Sequence, residues 1–311
     1  MDGTTVPAAP RAAADAGAFG TRLSPAQRLH FDIYGYVLLD RLLSADEVEG
    51  MKSALYRLKA ATDDELRARR IYFRRRGDWH LHLGHLLEYD PALLAFATHP
   101  ALVPLVEDAV GGAVRIEETE AIINRRDPTA NVEELRARRA NPTGFHTGTG
   151  HGWGTYEEQH NFHCLFVKTL AYLTDVGPDD GGTTLIPGSH RLSRPQREII
   201  AAAMQDPEQL VHQVTAKAGS VLLFPESLIH STTHILSDTE RVILVTGYTP
   251  PMLREWPGNE VSPEFVDSLP EGLRPLVSGS DSWHWRRRYQ RLARAGAAGP
   301  ASRERMWGAA G

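Results

Sequence analysis

The pattern of apolar and polar positions changes character near residue 113. Before it, Val48, Met51, Leu55 and Leu58 recur at the three-and-four spacing of one helical face. That helix opens on a capping box, Ser44-Ala45-Asp46-Glu47. Ser24-Pro25-Ala26-Gln27 has the same form with Pro at the first helical position, and it leads through Phe31 and Tyr34 into a short strand at Gly35-Tyr36-Val37-Leu38-Leu39. The N-terminal third is therefore predicted to be mainly helical. After residue 113, strand-length runs at 114–124, 164–174, 183–187, 212–217, 220–225 and 241–249 are separated by turn chemistry such as Gly177-Pro178-Asp179-Asp180-Gly181-Gly182. No βαβ alternation is present to build a parallel sheet. The prediction is a mainly β chain with flanking α-helices: a double-stranded β-helix core of jelly-roll or cupin type behind N-terminal helices. One domain is expected over 23–293, with a closing helix at 280–292 and disordered tails at 1–22 and 294–311.

Composition narrows the function more than the fold. At 311 residues and 41% hydrophobic content, a sizeable core is expected. A net charge of −5 gives no drive toward a nucleic-acid polymer or an anionic membrane, although all but four of the 34 basic residues are arginine. The single cysteine, Cys164, excludes an intrachain disulfide, and a reducing cytoplasm is the expected location. No apolar stretch is long enough to span a bilayer, and the first 22 residues lack a signal-type apolar run.

Fourteen histidines offer many possible metal ligands, so position has to select among them. His80, His82 and His85 alternate with leucines as a half-exposed helix or strand would. His160 and His163 lead into a strand and not along a helix. His30-Phe31-Asp32 is the one literal His-x-Asp, but the 100° advance per residue of a helix points its two side chains apart. His146 and His230 remain, each flanking the predicted β core. His230 follows the strand Val221–Pro225, and Arg241 stands eleven residues later on the next apolar strand. At a barrel rim such a pair can face one cavity, the arginine offering a planar two-pronged site for a carboxylate. Taken alone, Arg241 also reads as a solvent-facing strand start.

The segment Gly181-Gly182-Thr183-Thr184-Leu185-Ile186-Pro187-Gly188-Ser189-His190-Arg191 resembles the Pro-Gly-Ser-His segment of the phytanoyl-CoA dioxygenase family, and the order of landmarks agrees from Phe31 to about Tyr248. The resemblance implies a double-stranded β-helix that binds ferrous iron and uses 2-oxoglutarate and O2. By motif position it makes His146 and His230 the metal ligands and Arg241 the partner of the 2-oxoglutarate carboxylate. Thr232 assists that carboxylate, and Asn124 and Trp153 are weaker carry-overs to the same pocket.

Gly148 departs from the family, which has a carboxylate ligand there. No Asp or Glu follows within eight residues; Glu157 and Glu158 are the nearest. Three readings compete. In the leading one the chain resembles the iron and 2-oxoglutarate halogenases, with chloride in the vacancy and Gly148, Thr147 and Thr149 around it. In the second Glu157, Glu158 or another acid swings in from the glycine-rich loop 144–154 and the enzyme is a hydroxylase. In the third the protein binds without turnover. The expected substrate is a small molecule, anionic or carrier-tethered. Trp153 and Tyr156 could cover it, while Arg74, Arg75, Arg76 and Trp79 would suit a nucleotide such as deoxyadenosine monophosphate. Arginine runs of this kind are more often solvated faces.

Overall fold

The computed structural model describes residues 22–138, 144–149, 153–158 and 160–280. Its twelve strands are β1 (Val37–Leu39), β2 (Tyr72–Arg76), β3 (His80–Gly84), β4 (Arg115–Asn124), β5 (Thr155–Glu158), β6 (Asn161–Cys164), β7 (Val167–Tyr172), β8 (Thr183–Leu185), β9 (His212–Gln213), β10 (Val221–Pro225), β11 (His230–Thr232) and β12 (Arg241–Thr249). Seven of them form one antiparallel sheet in the order β1-β10-β7-β12-β4-β3-β2, and β11-β8-β9 form a smaller sheet. Facing antiparallel sheets with flanking helices give the predicted jelly-roll core.

The helices precede, interrupt and follow the strands. They are α1 (Pro25–Tyr34), α2 (Ala45–Ala60), α3 (Asp63–Ala68), α4 (Pro91–Ala97), α5 (Val103–Val110), α6 (Val132–Ala137), α7 (Gln196–Ala203), α8 (Pro207–Leu210), α9 (Pro263–Ser268) and α10 (Arg274–Ser278). Both expected capping boxes form, Ser24 with Gln27 and Ser44 with Glu47. Each satisfies two backbone donors that would otherwise lack a partner, a contribution of about 1 kcal/mol per cap. The buried face of α2 is the one read from spacing: Val48, Met51, Leu55 and Leu58.

Alternation along the strands divides the large sheet into two working faces. Leu81, Leu83, Ile123, Val242 and Leu244 pack with α2, α4 and α5 into the main core. Their neighbours Tyr172, Leu222, Phe224, Ile243 and Val245 face the smaller sheet. A period of two therefore assigns one face to stability and the other to a cavity.

The N-terminal third is not purely helical. Tyr72–Arg76 and His80–Gly84 form a hairpin that adds two strands to the large sheet, His80 pairing with Asn124. The run 212–217 contributes only two strand residues. The expected helix at 280–292 and both tails lie almost wholly outside the described residues. Among the described residues no helix is long and apolar enough to cross a membrane.

Candidate active site

His146 and His230 are joined before their rings are considered. They form an isolated antiparallel bridge in which each backbone N–H donates to the other's carbonyl, at 2.9 and 3.0 Å. The ring centroids lie 4.3 Å apart. Nδ1 of His146 lies 2.8 Å from the Gly144 carbonyl, and Nδ1 of His230 lies 2.8 Å from that of Leu228. A carbonyl can only accept, so both Nδ1 atoms carry hydrogen, which leaves Nε2 as the atom each ring would turn to a metal. Burial, and after it the neighbouring His146, pushes His230 down to about 3, which holds the ring in the neutral form that ligates metals.

Across the cavity, Arg241 opens β12 opposite Asn124 of β4. It is 2% exposed, its Nε donates to Asn124 Oδ1 at 3.1 Å, and its Nη1 has no hydrogen-bond partner among the described residues. Burial lowers its pKa to about 10, so it stays charged at neutral pH. Thr232 pairs with Thr183 across β11 and β8, and the Tyr172 hydroxyl donates to Thr183 Oγ1 at 3.0 Å. A buried guanidinium with an unused N–H is costly unless a carboxylate meets it, and the distal carboxylate of 2-oxoglutarate has the matching charge and shape.

The third part of the site is a carboxylate from a residue that the second reading did not name. A Cβ built on Gly148 would lie 1.3 Å from Glu226 Oε2 and 2.3 Å from Glu226 Cδ. The Glu226 carboxylate therefore fills the space that an aspartate at 148 would need. The Gly148 N–H donates to the Glu226 carbonyl at 3.2 Å. Glu226 is 1% exposed and neither of its carboxylate oxygens has a hydrogen-bond partner among the described residues.

Its ionic partner is Lys168, whose Nζ lies 3.2 Å away and also meets Glu117 Oε1 at 3.1 Å and the Glu118 carboxylate. Adjacent strand residues ordinarily point to opposite faces. Glu117 and Glu118 both reach Lys168 because the β12·β4 register slips between Gly247 and Tyr248. Gly247 leaves the room: a Cβ there would meet Glu117 Oε1 at 2.4 Å and Lys168 Nζ at 2.8 Å. Burial, followed by Glu117 and Glu120, raises the Glu226 carboxyl well above its ordinary range. Donor atoms of Glu117, Glu118 and Glu226 lie within 4.8 Å of one another, but the Lys168 ammonium already contacts all three, so they form a buried ion cluster and not a second metal centre.

One cavity of about 420 Å³ brings together His146, Gly148, His230, Thr232 and Arg241, with Asn124 behind the arginine. Other expected residues sit elsewhere. Thr147 donates to Gln196 Oε1 at 3.2 Å, while Thr149 is buried and its hydroxyl has no partner among the described residues. Tyr156 is turned to the Val110 carbonyl and stacks on His163. Trp153 is 54% exposed and packs 5.2 Å from Phe166, which in turn neighbours Trp256 on the cavity wall. Arg74 and Arg76 share the cavity face of the sheet by register with His82 and His80, but they are exposed and lie beyond the cavity. Arg75 points the other way, to the Lys59 and Ala61 carbonyls, and Trp79 lies against His80.

The acids expected to reach Gly148 do not. Glu157 pairs with Arg191 at 2.6 Å, and Glu158 sits opposite Asn161 in the β5–β6 hairpin. Glu226 and Lys168 are the residues that sequence reasoning passed over. Charges inside otherwise apolar strands were the signal: Glu117-Glu118, Lys168, and Pro225-Glu226 closing β10.

No curated protein matches this sequence. Among solved structures, HygX from Streptomyces hygroscopicus with nickel, 2-oxoglutarate and hygromycin B bound is 22% identical, with a TM-score of 0.60 over 75% of this chain and 90% of that one. The epimerase SnoN with Fe3+, α-ketoglutarate and nogalamycin RO is 20% identical, with a TM-score of 0.52 over 76% and 91%. AviO1 from Streptomyces viridochromogenes Tue57 is 20% identical, with a TM-score of 0.54 over 79% and 100%. At these identities the likeness is one of fold. The sequence itself matches the phytanoyl-CoA dioxygenase (PhyH) family over residues 31–243. The chain belongs to that family and so to the non-haem iron, 2-oxoglutarate-dependent oxidoreductases.

Proposed function

We propose that this chain oxidises an unactivated C–H bond of a small molecule, using O2 and 2-oxoglutarate at an iron held by His146 and His230. The observation that carries the reading is the meeting, in one cavity, of two imidazoles whose Nδ1–H groups are held by backbone carbonyls and a buried guanidinium whose Nη1 has no hydrogen-bond partner among the described residues. Bound iron and the keto acid supply O2 activation, the keto acid losing CO2 to become succinate while one oxygen atom goes to each organic partner. The chain's own residues bind and orient: Arg241, held by Asn124, fixes the far carboxylate with Thr232 beside it. The apolar Phe224, Ile243 and Val245 exclude water from the substrate side.

Oxygen transfer is the outcome the geometry supports best, because a protein carboxylate already occupies the space beside Gly148. Chloride transfer is the second reading. It rests on the missing side chain at Gly148 and the unpartnered hydroxyl of Thr149, and it requires Glu226 to move aside. Hygromycin B and nogalamycin RO in the similar structures favour a natural-product-sized substrate. An anionic handle such as a nucleotide phosphate or a carrier-borne phosphopantetheine would meet Arg74 and Arg76 but not Arg75. Mass spectrometry of products formed with chloride, bromide or no halide tests the reaction. A halide-independent gain of one oxygen atom is expected, and a halogenated product as the main one would overturn oxygen transfer.

A further inference from the structure

We infer that Glu226 takes the place of the missing aspartate and is the third protein ligand to the iron. The inference rests on the iron and 2-oxoglutarate reading above and names a ligand that the His-x-Asp pattern does not contain. Four observations carry it. The carboxylate lies within the volume of an aspartate side chain at 148, its nearer oxygen 1.3 Å from the Cβ position. Its backbone is tied to the two histidines, because the Gly148 N–H donates to the Glu226 carbonyl while His146 and His230 bridge four residues on. Both carboxylate oxygens are buried without hydrogen bonds, the condition of an acceptor whose partner is a cation.

The fourth observation is the balance of charge. Glu117, Glu118 and Glu226 set three carboxyl groups against the single ammonium of Lys168, so acids outnumber cations in the cluster. A ferrous ion held by the two histidines would bring the further positive charge that this excess of acids favours. The carboxylate lies 3.2 Å from Lys168 Nζ, and among the described residues the close set of acidic donors contains no histidine. Ligation therefore requires Glu226 to exchange Lys168 for iron, leaving Lys168 with Glu117 and Glu118. Glycine at 148 is then a steric requirement, since any side chain there meets this carboxylate.

Anaerobic titration with ferrous iron and 2-oxoglutarate, read by the visible metal-to-keto-acid charge-transfer band, tests this on the full chain. The parent protein should bind and show the band; its absence would remove the iron and 2-oxoglutarate reading itself. Glu226→Gln should weaken iron binding by about 10- to 100-fold. Because a glutamine amide keeps the space beside Gly148 filled, the rescue pairs Glu226→Ala with Gly148→Asp, which places a carboxylate in the vacated space, and affinity should recover to within a few-fold of the parent. Parent-like iron affinity in Glu226→Gln would overturn the inference. So would failure of the double variant to recover when both variants melt as the parent does, because the loss would then come from the ion cluster and not from ligation. A band in the parent that shifts on adding chloride would place the halide at this position and overturn it as well.

Discussion

The two ends of the cavity are built with opposite imbalances. At the Arg241 end a guanidinium is hydrogen-bonded by one neutral amide, Asn124, feels Asp180 only at a distance, and keeps an Nη1 without a hydrogen-bond partner among the described residues, so the arginine has no direct ionic partner there. At the Lys168 end three carboxyl groups share one ammonium, so acids outnumber cations. Each imbalance would be costly as a finished structure, because buried charges require partners. Taken together they fit the proposed occupants, a carboxylate of the keto acid against Arg241 and an iron held by Glu226 with the two histidines.

Removing the ammonium breaks that contrast most severely. Lys168→Met leaves three carboxyl groups, two of them fully buried, without their cation, and a loss of about 3–5 kcal/mol is expected in chemical denaturation. A loss below about 1 kcal/mol would mean that the cluster is already neutral through bound protons. The opposite end responds in affinity and not in stability. Arg241→Gln removes a charge-assisted pair, so 2-oxoglutarate binding should weaken by about 100-fold while the melting temperature changes little. Unchanged affinity would move the keto acid away from this arginine. Asn124→Ala is the milder cut at the same end. It frees the guanidinium to rotate and should cost about tenfold in 2-oxoglutarate affinity, one ordinary buried hydrogen bond.

The two ends also differ in how much of them the sequence reveals. Arg241 was legible because it opens a nine-residue apolar strand and stands a fixed step after His230, so period-two alternation turns it toward the cavity. Asn124 closes the strand that pairs with it, and the register follows from the same alternation. The carboxylate end depends on quantities that no local pattern carries. Glu226 reaches Gly148 through a bridge between distant segments, and Glu117 joins Glu118 on one face only because the register slips at Gly247. The β2–β3 hairpin was obscured for another reason. Its arginines make an exposed edge strand look like a solvated helix face, and only the alternating leucines at 81 and 83 mark the sheet.

The smallest expected effect is also the cleanest separation of two acids. Glu157 and Glu226 were both available to a chain that lacks an aspartate at 148, and Glu157 is far nearer in sequence. The structure gives them different surroundings. Glu157 is exposed on the β5–β6 hairpin and paired at 2.6 Å with a half-exposed Arg191, a contact that solvent screens on both sides. Such a pair contributes at most about 1 kcal/mol, and its loss leaves nothing buried and uncompensated. Glu157→Gln should therefore shift stability by less than about 1 kcal/mol and leave iron affinity and the charge-transfer band as they are in the parent. A weakened band in Glu157→Gln, with stability unchanged, would mean that the glycine-rich loop delivers its own acid to the metal. The balance of charge at Lys168 would then be a structural feature alone, since nearness in sequence and not burial would have selected the ligand.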